Sequence, residues 1–302
     1  MAKDRLQRRV QSLLKTCRLI HSSPVFPRSS NKPLQAVGML RAGLDLDGEL
    51  LALVGASHSG EPFHLEGVRK ILAIAGLDES ALQTPAQYPL DDQAREEWVR
   101  RGVGPSPLAM NCSGKHAGML ATSVTAGWPV ETYLETTHPV QKAIRDGFES
   151  LTGEKAVEGA VDGCGAPLLS TSLLGLARAF ATLACAAADS AEGRVVRAFS
   201  QHPAYASGTR RDEAALLEAF PGAIAKAGAE SCYAVALPDG RSFALKIDDG
   251  AARARPVVMA AALRRSGIIH PVLDEIGRHL LYGGHEPVGE IRATIEPGVG
   301  SG

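Results

Sequence analysis

Apolar residues recur at helical spacing through the first two thirds of the chain and then switch to strand-like alternation near position 223. Leu6, Val10, Leu13, Leu14 and Ile20 share one side of a helix predicted over 4–20. Pro24 and Pro27 make 21–28 a turn-rich connection, and a helix follows to about Arg41. Further helices are predicted over 49–54, 64–75, 91–101, from 110 to about 125, and over 139–151, 168–187, 190–200 and 212–220. The stretch 157–164 reads as extended and ends in the turn signal Asp162-Gly163-Cys164-Gly165. Strands are predicted over 223–226, 232–237 and 242–247, with Pro238-Asp239-Gly240-Arg241 as the hairpin turn of the last two. Helices over 255–266 and 271–281 and a strand over 288–295 close the pattern. Helices segregated from a late antiparallel sheet predict an α+β fold, with 1–302 as a single domain.

Composition narrows the classes. A chain of 302 residues, 45% hydrophobic and 22% charged, can bury a large core. A net charge of −1 gives no reason to expect a nucleic-acid partner. No run of 18 apolar residues predicts a membrane span, since Arg178 interrupts the Leu/Ala-rich stretch 168–188. Five widely spaced cysteines suit a reducing compartment, so the expected location is cytoplasmic. Residues 1–24 are basic and helical in pattern, which fits a solvated face better than a targeting segment.

Three constellations could carry chemistry. Ser29 and Lys32 form a Ser-x-x-Lys pair, which puts hydroxyl and amine on one helical face. A lysine that burial keeps neutral can take a serine proton. Alone, such a pair is commonplace and usually lies on the surface. Ser57-His58-Ser59-Gly60-Glu61 reads as a helix cap or as a substrate loop, and the cap is the commoner use of such a stretch. Lys226-Ala227-Gly228 follows a strand; its lysine could project into a cleft, with glycine leaving room for a ligand, or could guard a sheet edge. Cys112, Lys115 and Cys164 supply two thiolates and an amine, which could hold zinc with a fourth position open. By spacing alone, two buried inert cysteines is the better reading of that set.

Taken together these fragments resemble the bacterial L-asparaginase II family of the Rhizobium inducible type. The resemblance rests on Val25-Phe26-Pro27-Arg28-Ser29-Ser30-Asn31-Lys32-Pro33-Leu34-Gln35-Ala36, Ala56-Ser57-His58-Ser59-Gly60-Glu61, Asn111-Cys112-Ser113-Gly114-Lys115-His116-Ala117-Gly118-Met119, Val161-Asp162-Gly163-Cys164-Gly165 and Leu245-Lys246-Ile247-Asp248-Asp249-Gly250. It covers 25–302 and implies a fold like that of serine β-lactamases and glutaminases. It implies hydrolysis of L-asparagine, a small-molecule amide, to aspartate and ammonia, with a homodimer as one possible assembly. Carried over residue by residue, Ser29 with Lys32 and Ser57 with Lys226 match two catalytic Ser–Lys pairs. Cys112, Lys115 and Cys164 match the ligands of a zinc ion that supports substrate binding. Arg28, His116 and Asp162 match the lining of the substrate pocket. Which of Ser29 and Ser57 bonds to substrate stays open. Alternative readings are a glutaminase, a β-lactamase-like hydrolase of another amide, or an inactive zinc-containing relative. Residues 1–24 depart from the strand-forming start of the family, which predicts a sheet with an exposed edge.

Overall fold

The computed structural model describes residues 22–157 and 159–294. The helix predicted over 4–20 lies outside the described residues, as does Ile295. In chain order the elements are β1 (Pro24–Val25), a 3-10 turn (Arg28–Asn31), α1 (Lys32–Arg41), α2 (Gly48–Val54), α3 (Pro62–Ile74), α4 (Asp92–Arg100), α5 (Ser113–Thr125) and α6 (Pro139–Thr152). There follow β2 (Thr171–Ser172), α7 (Leu173–Ala184), α8 (Ala191–Gln201), α9 (Pro203–Ala206), α10 (Asp212–Ala219), β3 (Ile224–Ala227), β4 (Cys232–Ala236) and β5 (Ser242–Lys246). The last are α11 (Arg255–Arg265), α12 (Val272–Ile276), β6 (His279–Gly283) and β7 (Glu286–Ile291). Mixed helices and small antiparallel sheets bear out the α+β expectation. No helix among the described residues is long and apolar enough to cross a membrane.

Local chemistry sets many of the starts. Ser172 and Ser190 accept backbone N–H bonds from Gly175 and Gly193, and Asp91 accepts one from Ala94. Each such cap stabilises its helix by about 1 kcal/mol. Proline opens α3, α6 and α9, where its missing N–H costs nothing. Helix α1 is buried from Lys32 through Leu40, so it is a central helix wrapped on all sides. It crosses α6 with backbone almost touching backbone, at Gly38 and Gly147.

The main sheet has the order β3-β4-β5, all antiparallel, with Lys226 opposite Ala234. β4 is buried throughout, and β3 is a fully buried edge strand. At the other side β5 is only half-buried, and among the described strands nothing pairs with its outer edge.

Several sequence expectations shift. The helix predicted over 168–187 begins at Leu173, because Thr171 and Ser172 pair with Val25 and Pro24. The stretch predicted as extended over 157–164 makes one isolated bridge, Val161 to Pro167, in its described part. The helix predicted over 271–281 stops at Ile276, before Gly277, and the alternating residues beyond it form β6, paired with β7. The short helix α9 had no sequence signal beyond Pro203.

Candidate active site

Ser57 lies in the loop between α2 and α3. The loop is irregular yet buried, and its backbone groups find partners across the fold. His58 N–H donates to the Asn111 carbonyl at 3.0 Å, Ser59 N–H to Ser207 at 2.9 Å, and Asp91 N–H to Ser59 at 2.9 Å. Gly60, at φ +79, lies so close to Pro89 that a Cβ would sit 2.8 Å from it. The loop is not a helix cap: Glu61 precedes α3 without capping it, and its carboxylate accepts from Thr209 N–H and Oγ1 instead.

Two buried amines converge on the Ser57 hydroxyl. Lys32 Nζ donates to Ser57 Oγ at 3.2 Å and to the Ala56 carbonyl at 2.6 Å. Lys226 Nζ donates to Ser57 Oγ at 3.1 Å and to the Ala227 carbonyl at 2.6 Å. Lys32 and Lys226 are 1% and 0% exposed, so Lys226 is no solvated guard of its strand edge. Burial, opposed by Glu213 and reinforced by Lys32, Arg211 and Arg255, lowers the Lys226 amine to about 7.

The pairing differs from the one spacing suggests. Among the described residues no side-chain hydrogen bond joins Lys32 to Ser29, three positions earlier; only the Lys32 backbone N–H donates to the Ser29 carbonyl, and the amine is turned to Ser57. Ser29 is half-buried in the 3-10 turn, directly after Arg28. Gly228 is needed here for a reason other than ligand room: a Cβ on it would lie 2.5 Å from the Pro27 carbonyl and 2.8 Å from Ser30 N. The strand end bearing Lys226 is thereby pressed against the Ser29 turn.

Arg28 adopts a left-handed backbone, φ +51, a strained state for a non-glycine residue. Its Nε and Nη2 reach Asp162 Oδ1 at 2.9 and 2.7 Å, and its Nη1 reaches Glu230 at 2.5 Å. Glu230 and Ser231 are also left-handed, φ +56 and +55, in the turn between β3 and β4. Strain therefore clusters around one arginine beside Ser29.

The third group gathers at the start of α5. Lys115 Nζ donates to Cys164 Sγ at 3.2 Å, and Cys112 Sγ lies 3.0 Å from Asn111 Oδ1 and within hydrogen-bonding reach of Cys164. The proton shared in that reach lowers Cys164 and raises Cys112. Burial alone would lower the Lys115 amine; Cys164, Cys112 and Asp162 together outweigh it and the amine is raised. His116 Nδ1 meets Tyr133 OH at 2.8 Å, and the ring lies beside Cys164; burial lowers the ring to about 4. Two thiols and an amine within reach of one another suit a sulfur- and nitrogen-ligated zinc. The set depends on Lys115, for among the described residues no three His, Cys, Asp or Glu side chains gather as a metal group. Asp162 and Cys164 share one turn, closed by Gly165 N–H to the Asp162 carbonyl at 2.8 Å, so that turn joins the arginine to the thiols.

A cavity of about 420 Å³ lined by Gln87, Tyr88, Pro89, Arg95 and Asn111 opens nearby. It meets the Ser57 loop through Asn111 and Pro89, and neither the lysines nor the thiols line it. Sequence reasoning missed Glu213, Arg211 and Arg255, a buried charged group behind Lys226. An acid in the first turn of a helix is ordinary, so Glu213 carried no signal. The family model described as L-asparaginase II matches residues 19–293. No curated protein matches the chain.

Proposed function

We propose, for a chain that belongs to the L-asparaginase II family, that the protein hydrolyses L-asparagine to L-aspartate and ammonia by serine–lysine catalysis. The observation that carries this reading is the Ser57 hydroxyl held at 3.2 and 3.1 Å by two buried lysine amines. Burying two cations costs several kcal/mol each, and a fold gains nothing in stability from a serine between them. An amine lowered to about 7 is poised to accept and return a proton near neutral pH.

The roles follow from exposure and partners. Ser57 is buried, and its oxygen lone pairs face two lysine donors, which weakens it as a nucleophile and suits it as a proton relay. Ser29 is half-buried, and its hydroxyl engages no hydrogen-bond partner among the described residues, so its oxygen is available for attack. Ser29 Oγ attacks the side-chain amide carbon, and its proton enters the Lys32–Ser57–Lys226 network. The same network protonates the leaving ammonia, leaving an aspartyl ester on Ser29. Water activated by the same amines cleaves that ester and restores the hydroxyl. Arg28 takes the substrate carboxylate and Asp162 its ammonium, each exchanging part of their mutual ion pair for the zwitterion. His116 lines the pocket beside them. Cys112, Lys115 and Cys164 would hold zinc, which would add positive charge beside the substrate. The chain's arrangement of helices and a lysine-bearing edge strand fits a β-lactamase- or glutaminase-like fold.

The test is acid-quenched turnover with aspartyl hydroxamate followed by peptide mass mapping. The aspartyl adduct is expected on the peptide containing Ser29; Ser29→Ala should lose ammonia release by at least about 1000-fold with folding unchanged. An adduct on Ser57 would exchange the two serine roles. Turnover of Ser29→Ala at the parental rate would sink the serine–lysine assignment to this pair. Glutamine and a simple lactam, assayed alongside, would reveal a different amide preference.

A further inference from the structure

Behind Lys226, away from Ser57, lies a buried group of charges that the reaction described above does not use. Glu213, at the first turn of α10, is fully buried. Its Oε1 and Oε2 each accept from Arg211 at 3.1 Å, a two-pronged pair. Oε1 also accepts from Ala227 N–H at 3.4 Å and lies 4.0 Å from Lys226 Nζ. Arg255, from α11, reaches Glu213 at 3.9 Å and Asp212 at 2.5 Å, and its guanidinium covers the Tyr233 ring at 5.1 Å. Asp212 Oδ2, Arg255 Nε and Tyr233 OH are buried without hydrogen-bond partners among the described residues.

A group of this kind is a poor source of stability. Buried ion pairs often do no better than apolar side chains of the same volume, and three orphaned polar atoms add to the cost. Its charge balance is informative. Arg211 and Arg255 against Asp212 and Glu213 are neutral by themselves; an ammonium at Lys226 would leave the group with one excess positive charge, facing a further cation at Lys32. The groups facing Lys226 are thus Lys32 from α1, Ser57 from its loop, Glu213 from α10, Arg211 just before it, and Arg255 from α11.

We infer that Glu213 is a positioning residue for Lys226, holding its amine against β3 and setting its charge through a carboxylate that Arg211 keeps in place. This rests on the reading that Lys226 serves catalysis, but the amine itself can be observed without any substrate. Geometry and electrostatics agree: among the charged groups that bear on it, Glu213 favours the Lys226 ammonium, while burial, Lys32, Arg211 and Arg255 oppose it. Glu213 itself is kept ionised: burial would raise it, and Arg211, Arg255 and Lys226 more than offset that, so it is lowered well below the usual carboxylate range. Without Glu213 the amine would be neutral to lower pH and would be a weaker base for the serine proton. Without Arg211, the carboxylate would bear more strongly on Lys226 and hold it charged.

The experiment titrates Lys226 by NMR in protein labelled at lysine Cε, the signal being identified by its loss in Lys226→Met. Glu213→Gln is expected to move the titration of Lys226 down by about 1 to 3 pH units, and Arg211→Met to move it up. The limbs of the pH profile of ammonia release should move with it in the same directions, kcat changing more than KM because no substrate contact is lost. Opposite shifts in the two folded variants would establish the role. An unmoved titration in either folded variant would overturn it, and Arg211→Met decides the matter if Glu213→Gln does not fold. A moved titration with no ammonia release from parent or variants would keep the inference and remove the asparaginase reading instead.

Discussion

A single amine at position 226 links chemistry to stability. The unfolded lysine keeps its proton to about pH 10.4, whereas the buried one is lowered to about 7. Between these values the unfolded state binds more protons than the folded one, so stability rises with pH across that window. Below about 7 the penalty of burying the charge is complete. Lys226→Met, which keeps the volume and removes the charge, should therefore abolish turnover and still raise the melting temperature. Whatever the size of the gain, it should be larger at pH 6 than at pH 9. Equal gains at the two values, measured by calorimetry, would mean that Lys226 is not neutral in the folded protein. A residue that costs stability where it sits is what a site that trades stability for activity would contain.

At the scale of elements, the position of Lys32 depends on how closely α1 meets α6. A Cβ on Gly38 would lie 2.7 Å from the Ala143 carbonyl and 2.8 Å from Ile144 Cα. Those atoms are helix backbone and cannot turn aside as a side chain could. Gly38→Ala should gain about 1 kcal/mol in helix propensity and lose more to overpacking, typically 1–3 kcal/mol and occasionally more. The expected result is a lower melting temperature together with reduced turnover, because Lys32 begins the same helix. Gly104→Ala, where a Cβ would meet nothing within 4 Å, serves as the control and should leave both unchanged. If Gly38→Ala is as silent as the control, the close crossing is not what fixes Lys32. The β6–β7 hairpin is the opposite case, since Tyr282 and Val288 are exposed and the two strands pair only with each other among the described strands.

For the molecule as a whole, the thiol and amine set ties distant stretches of chain. Cys112 and Lys115 begin α5, while Cys164 lies on the turn that also carries Asp162. A zinc ion held there would fasten that turn to the helix and so steady the Arg28 pair. As purified, the protein should contain about one zinc per chain by elemental analysis, as a set of two thiolates and an amine implies. Cys112→Ser and Cys164→Ser should each lose it. A chelator should lower the melting temperature by several degrees, since binding to the folded state alone stabilises it in proportion to RT ln(1 + [L]/Kd). Metal content unchanged in both variants would place the ion elsewhere or nowhere.

The sequence by itself determined the α+β character, most helix cores, three strands with a hairpin joining the last two, and the short motifs that mark the family. These are local matters: hydrophobic period, proline and serine at helix starts, and short motifs whose residues touch their neighbours in the chain. It could not say which lysine meets which serine. Ser29 and Lys32 are three apart, yet the chain passes from a 3-10 turn into α1 between them, and Lys32 is aimed across the fold at Ser57. Nor could it foresee why Gly228 must be glycine, because the backbone that crowds it belongs to Pro27 and Ser30, some 200 positions earlier. The charged group of Arg211, Asp212, Glu213 and Arg255 was illegible for the same reason. In one dimension those residues look like a solvated helix start and an exposed arginine; only packing of α10 and α11 around β3 and β4 takes them out of water and gives their charges a common target. Burial and long-range contact decide such roles, and neither is a property of a residue's neighbours in sequence.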